Sequence, residues 1–132
     1  MTGLYLPCAD QHHDHTLAVH HSGNHTTSVQ RFKGVIDDSA RGSFTGHVIV
    51  DPHTVGTNAD QTNHNILLSP LGEADTRPWL EILADDVRCT HGATVGRLDE
   101  AAIFYLRSRG IPEAKARTML IEGFVGEIVD AI

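Results

Sequence analysis

Cys89 and His91, two residues apart in Asp85-Asp86-Val87-Arg88-Cys89-Thr90-His91-Gly92, have the types and the spacing for metal chemistry. In an extended strand alternate side chains share a face. Asp85, Val87, Cys89 and His91 then lie together, with Asp86, Arg88 and Thr90 opposite. A thiol and an imidazole so placed offer the sulfur and nitrogen donors that soft and borderline metals take. Two donors do not complete a site; a neighbouring strand, another chain or the cargo must supply the rest. The competing reading makes Cys89 a small buried hydrophobe and His91 a hydrogen-bonded turn residue beside flexible Gly92.

A second candidate set lies earlier. Eight of the ten histidines precede residue 60, a density that raises the question of zinc. His13 and His15 share one face of an extended segment, and His20 or His21 would complete a set for a histidine-rich, zinc-binding β-fold hydrolase. The spacing matches no metal motif, and neutral histidines serve equally as hydrogen-bonding residues in stacked turns.

The elements that must hold these residues divide the chain in two. Thr16–Val19, Thr27–Ile36, Ser43–Val50, Asn65–Ser69 and Trp79–Leu83 are short bursts of β-branched and large apolar residues. Asp37–Gly42, Asp51–His53, Gly56–Asp60 and Pro70–Glu73 read as turns between them. No helix of useful length fits in the gaps, which excludes a doubly wound α/β fold and leaves a sandwich, a barrel or a solenoid. The bursts recur irregularly, so the repeat test gives only weak support for a solenoid. From Asp99 onward the pattern is helical. Asp99 is an N-cap for a helix from about Glu100 to Ser108, and Gly110 stops it. Pro112 suits the first turn of a second helix carrying Leu120, Ile121, Phe124, Val125, Ile128 and Val129 as an apolar stripe. That stripe must fold back on the strands or dock a partner. Arg107 and Arg109 suit an anion, yet cations are favoured at a helix C-terminus by the dipole alone.

Composition sets the outer limits. At 132 residues the chain is one domain's worth. A net charge of −7 with no basic patch argues against nucleic acid or an anionic membrane as the main partner. Two cysteines, Cys8 and Cys89, make no disulfide framework and fit a reducing, cytoplasmic setting. No apolar run reaches the length of a signal or membrane segment, and no glycine-rich phosphate loop with a lysine occurs.

Three segments resemble the C-terminal core of the SufB/SufD family of iron–sulfur cluster assembly proteins. They are Asp14-His15-Thr16 through Phe32-Lys33-Gly34-Val35, Asn58-Ala59-Asp60-Gln61-Thr62-Asn63-His64-Asn65-Ile66-Leu67-Leu68, and Pro78-Trp79-Leu80-Glu81-Ile82 through Arg107-Ser108-Arg109-Gly110-Ile111. The run Asp85 to Gly96 is similar to the SufD branch, since SufB members carry an acidic residue where Gly92 stands. The resemblance implies a mainly β fold: right-handed parallel β-helix rungs over residues 1–97, then a small helical region of two helices over residues 98–132. It implies a scaffold and not an enzyme. A SufB-like subunit would pair through the β-helix, the ABC-type ATPase SufC would bind the helices, and the chain alone would form a homodimer. The cargo would be a transient iron–sulfur cluster shared with the partner subunit. His91 matches the family's cluster-site histidine, with Cys89 beside it as a second metal candidate. Asp99, Phe104, Tyr105, Arg107 and Arg109 fall in the SufC-contacting region. Family members carry an N-terminal helical domain and earlier rungs. The chain is therefore expected to start inside the solenoid, as a fragment, a split gene product or a degenerate copy, and an inactive structural role is the further alternative.

Overall fold

Alternation of small or apolar with polar residues drives the first two-thirds of the chain into strands. The structure, a computed structural model, describes residues 1–131. In chain order the elements are β1 (Thr2–Tyr5), β2 (His12–His21), β3 (Thr27–Ile36), β4 (Arg41–Val50), β5 (Val55–Leu67), β6 (Glu73–Ile82), β7 (Asp86–Arg97), α1 (Glu100–Ser108) and α2 (Glu113–Val129). Consecutive strands alternate between two sheets, ordered β1-β3-β5-β7 and β2-β4-β6, and every pairing is parallel. Each strand therefore lies on the strand two before it. Thr27 pairs with Asn58 and Asn58 with Arg88, a structural repeat of about thirty residues. This is a parallel β-solenoid of roughly three turns, with two helices after it.

The solenoid explains why the burst spacing looked irregular: its repeat spans two strands and two turns, not one strand. It also corrects the turn assignments. Gly56–Asp60, Arg41-Gly42 and Glu73 read as separators, yet they lie in β5, β4 and β6. Asn, Gly and Asp are poor strand formers by propensity. Stacking overrides that, because a residue in register with its counterpart on the next rung has its backbone satisfied on both sides.

The core lies between the two sheets. Ile36, Phe44, Val48 and Val50 are fully buried, and the Phe32 and Phe44 rings face each other with centroids 4.9 Å apart. Unlike most cores this one is partly polar. Gln30, Gln61, Asn63 and Asn65 are almost entirely buried and line the lumen from β3 and β5. The Tyr5 hydroxyl donates to Asn65 Oδ1 at 2.5 Å and accepts from Asn63 Nδ2 at 3.0 Å, while Asn65 Nδ2 donates to Asn63 Oδ1 at 2.8 Å. Gly34 makes room for this cluster, since a Cβ there would collide with the Tyr5 ring and the Asn65 carboxamide.

Buried His21 closes the C-terminal end of β2. Its ring bonds the hydroxyls of Thr26 at 2.7 Å and Ser28 at 2.8 Å. Burial, reinforced by neighbouring His20, holds its pKa below the usual imidazole value. The folded state thus prefers neutral His21. Its contribution is complete above the unfolded pKa of about 6.5 and is lost as pH falls from there through the lower folded value. The urea midpoint should therefore drop between neutral pH and mildly acidic pH, and His21→Gln should flatten that drop.

The helices attach at one side. Asp99 caps α1, accepting from the Ala101 amide at 2.9 Å, and Gly110 leaves the helix at φ +85°. Pro112 is the residue before α2 and not its first-turn residue, a shift of one position from the sequence expectation. Of the two fates open to the apolar stripe, α2 takes the first: it packs on β1 and β3. Ile128 is buried beside Phe32 and Lys33, and Ala116 is buried in the first turns of α2, whereas Val129 is exposed and falls outside the buried face. Lys33 anchors the packing. It extends from the outer face of β3, almost buried, to donate to Phe124 O and Glu127 Oε2, both at 2.7 Å, with its ammonium 4.7 Å from the Phe124 ring centroid.

Candidate functional site: an open last rung

The last rung is incomplete. β7 pairs with β5 along its whole length, but sheet order ends at β7, and the other sheet ends at β6. Inward positions on β7 therefore face a lumen closed on the β5 side only. Cys89 registers with Ala59, His91 with Gln61, Ala93 with Asn63 and Val95 with Asn65. Since Ala59, Gln61, Asn63 and Asn65 are buried lumen residues, their partners on β7 share the lumen column. Cys89 and His91 are thus on one face, as extended alternation requires.

Their environments differ. Cys89 packs with Leu80, Ala84 and Val87 against the apolar cluster of Val48, Val50 and Ala59, and burial pushes its thiol pKa up. That is the setting of a protonated hydrophobe. His91 is exposed at the open end of its column, a position from which an imidazole can meet an incoming ligand. Cys8 is also exposed. Thiol reagents at mildly alkaline pH should label Cys8 first and Cys89 about tenfold more slowly or less, as mass spectrometry of each tryptic peptide will show.

The four early histidines do not form the zinc set considered for them. His13 and His15 are on the lumen side of β2, His15 stacking on Tyr5 with centroids 4.7 Å apart. His20 sits on the opposite face, its Nε2 2.5 Å from Asp51 Oδ1, and His21 is committed to Thr26 and Ser28. Among the described residues no group of three or more His, Cys, Asp or Glu is placed to hold a metal ion. Alternation puts His20 on the other face, and His21, though on the face of His13 and His15, lies six residues beyond His15, about 20 Å along the strand.

On the helices, Phe104 is 73% and Tyr105 56% exposed, a neighbouring aromatic pair on α1 that is more than half open. Arg107 forms an ion pair with Glu113 at 3.2 Å across the interhelical turn, and the Arg109 guanidinium lies 5.0 Å from the Tyr105 ring centroid. The two arginines have partners within the chain, and Asp99 is occupied as a cap. Sequence reasoning overlooked the amides of the lumen, Gln30, Gln61, Asn63 and Asn65: Gln30 and Asn65 were read only as parts of apolar strands, and Gln61 and Asn63 fell between a turn and a strand. Their strict alternation from Ala59 to Asn65 was the available signal.

The fold and site define a β-solenoid chain that presents side chains at an unfinished rung and an aromatic surface on a terminal helix pair. Residues 1–124 match the family described as SUF system FeS cluster assembly, SufBD core domain. The iron–sulfur cluster assembly protein SufD of Escherichia coli is 41% identical over 132 residues, which is all of this chain and 31% of that protein. A SufBD family iron–sulfur cluster assembly protein of Synechocystis is 43% identical over 117 residues, covering 89% of this chain and 25% of its relative. SufD of Bacillus subtilis is 33% identical over 123 residues, covering 93% of this chain and 28% of its relative. The chain belongs to the SufBD family of the SUF iron–sulfur cluster assembly system and is SufD-like. It spans about a third or less of the length of these relatives. No helix among the described residues is long and apolar enough to cross a membrane.

Proposed function

We propose that the chain serves as the SufD-like core of a cluster-building scaffold, in which β7 and β6 meet a SufB-like subunit and His91 offers its imidazole to a nascent iron–sulfur cluster as cargo. The observation that carries this reading is the placement of His91, exposed on the lumen side of a rung that ends a sheet. An unpaired strand edge as long as β7 favours strand pairing with a second chain. Imidazole is an acceptable iron ligand beside thiolates or sulfide supplied by a partner. A single protein ligand suits cargo that must be handed on. Cys89, protonated and packed, is the weaker of the two donors.

The helix pair is the second surface. Phe104 and Tyr105 are rigid aromatic anchors of the kind that carry binding energy at interfaces, and they support docking of the SufC ATPase. ATP hydrolysis then belongs to the partner. Coexpression with SufB-like and SufC-like proteins, copurification and anaerobic absorbance test the reading. Both partners and a cluster chromophore should copurify, and the double variant Phe104→Ala/Tyr105→Ala should weaken SufC binding by at least about thirtyfold, the worth of one strong hot spot. Retrieval of neither partner by the chain would end the functional reading.

A further inference from the structure

We infer that Gln61 is a positioning residue for His91: its free carboxamide oxygen accepts a hydrogen bond from a ring N–H of His91, which fixes the tautomer and leaves the other ring nitrogen free for the cargo. This rests on the reading of His91 as a cluster ligand.

Gln61 is fully buried, and its Oε1 has no hydrogen-bond partner. Its Nε2 is engaged, donating to Gln30 Oε1 at 2.6 Å on the rung before. Gln30, Gln61 and His91 are register partners on β3, β5 and β7, so they form one column. The ladder has a direction. Gln61 donates backwards to Gln30, and its acceptor oxygen is left for the following rung, where the register partner is His91. Gln30 Nε2 is also unpartnered, but Gln30 presents its carboxamide oxygen, not its nitrogen, to Gln61. The lumen side offers no donor. Across the lumen the Gln61 carboxamide lies over Gly46, where a Cβ would come within 2.5 Å of Nε2 and 2.7 Å of Oε1. Gly46 has Leu17 and Pro78 as its register partners, and none of the three has a side-chain donor. Beside Gln61 on β5, Ala59 has no donor and Asn63 gives its amide protons to Tyr5 and the Phe32 carbonyl. On the following rung, His91 is the register partner of Gln61 and carries a ring N–H donor.

An unpaired buried carboxamide oxygen is costly, and adjacent strands bring register partners within side-chain reach. A histidine that ligates metal through one nitrogen commonly donates its other N–H to an oxygen, which sets the ring's orientation and raises its basicity. Gln61 supplies that oxygen from inside the protein, where water does not compete.

The test is imidazole ¹⁵N NMR of the full, metal-free chain above the imidazole pKa. Wild-type His91 should hold one dominant tautomer, Gln61→Leu should change the tautomer ratio by about fivefold, the worth of one net hydrogen bond, and Gln61→Glu should restore it. Because Gln61 is buried, Gln61→Leu could unfold the chain; His91→Ala at the exposed end provides the second reading. It should shift the Gln61 side-chain carbonyl ¹³C resonance. In the complex with both partners, reconstituted with ferrous iron and sulfide, Gln61→Leu should lower cluster retention by about tenfold. An unchanged tautomer ratio in folded Gln61→Leu, or an unmoved Gln61 carbonyl in His91→Ala, overturns the proposal. A tautomer fixed by Gln61 in a complex whose cluster survives His91→Ala also overturns it, and locates the failure in the ligand reading and not in the ladder.

Discussion

Phe44→Ala should destabilise the solenoid by about 3–5 kcal/mol, the usual cost of removing a buried ring that its surroundings cannot fill. Phe44 is fully buried in the middle of β4, pressed on Phe32 from the facing sheet. Gly42 and Gly46, its inward neighbours on the same strand, have no side chains to collapse into the hole. For a domain with a total stability of about 5–15 kcal/mol, that loss is a large fraction. The architecture adds a second signature. Rungs contact only their neighbours, so a weakened central rung uncouples the β1–β3 end from the β5–β7 end, and cooperativity falls with stability. Guanidinium unfolding followed by far-UV circular dichroism should show a lower midpoint and a shallower or biphasic transition. A loss below about 1 kcal/mol would mean that the two sheets do not enclose a close-packed core.

His91→Ala should reduce the cluster chromophore of the copurified complex at least tenfold while leaving assembly with both partners intact. The separation of these effects follows from its location. His91 is exposed at the end of its column and belongs to no apolar cluster, so its removal opens no cavity and costs the fold no more than one hydrogen bond. Deleting the helices should do the reverse to the ATPase, abolishing its retention while β7 remains available for strand pairing. A purely structural subunit would behave otherwise, retaining its chromophore in His91→Ala and losing it only with the helices. Anaerobic absorbance and the iron content of the purified complex distinguish the two.

Much of this fold was legible in the sequence, and the illegible part has a physical cause. The change from strand to helix after Arg97, the cap at Asp99 and the stop at Gly110 all follow from local chemistry that needs no tertiary partner. β5 was the difficult element. Asn58 to Asn65 has the composition of a loop, and only the rungs on either side convert its amides into a ladder and a lumen. Lys33 was similarly hidden, because the Phe124 carbonyl and Glu127 that hold it lie more than ninety positions further along the chain. Cys89 and His91 were assigned to one face correctly from alternation, but alternation carries no information on depth. What separates a packed thiol from an open imidazole is the apolar cluster of Leu80, Ala84 and Val87 that Cys89 joins and His91 does not.

Four strands on one side and three on the other give the stack an uneven end. Its upper surface is a step and not a plane, with β7 overhanging the neighbouring layer by half a turn. A companion with a flush end would seat on the overhang alone and leave a gap beneath it. One whose own end is notched in the opposite sense can interlock, so strand parity restricts which stacks can be joined, and in which orientation, before any side chain takes part.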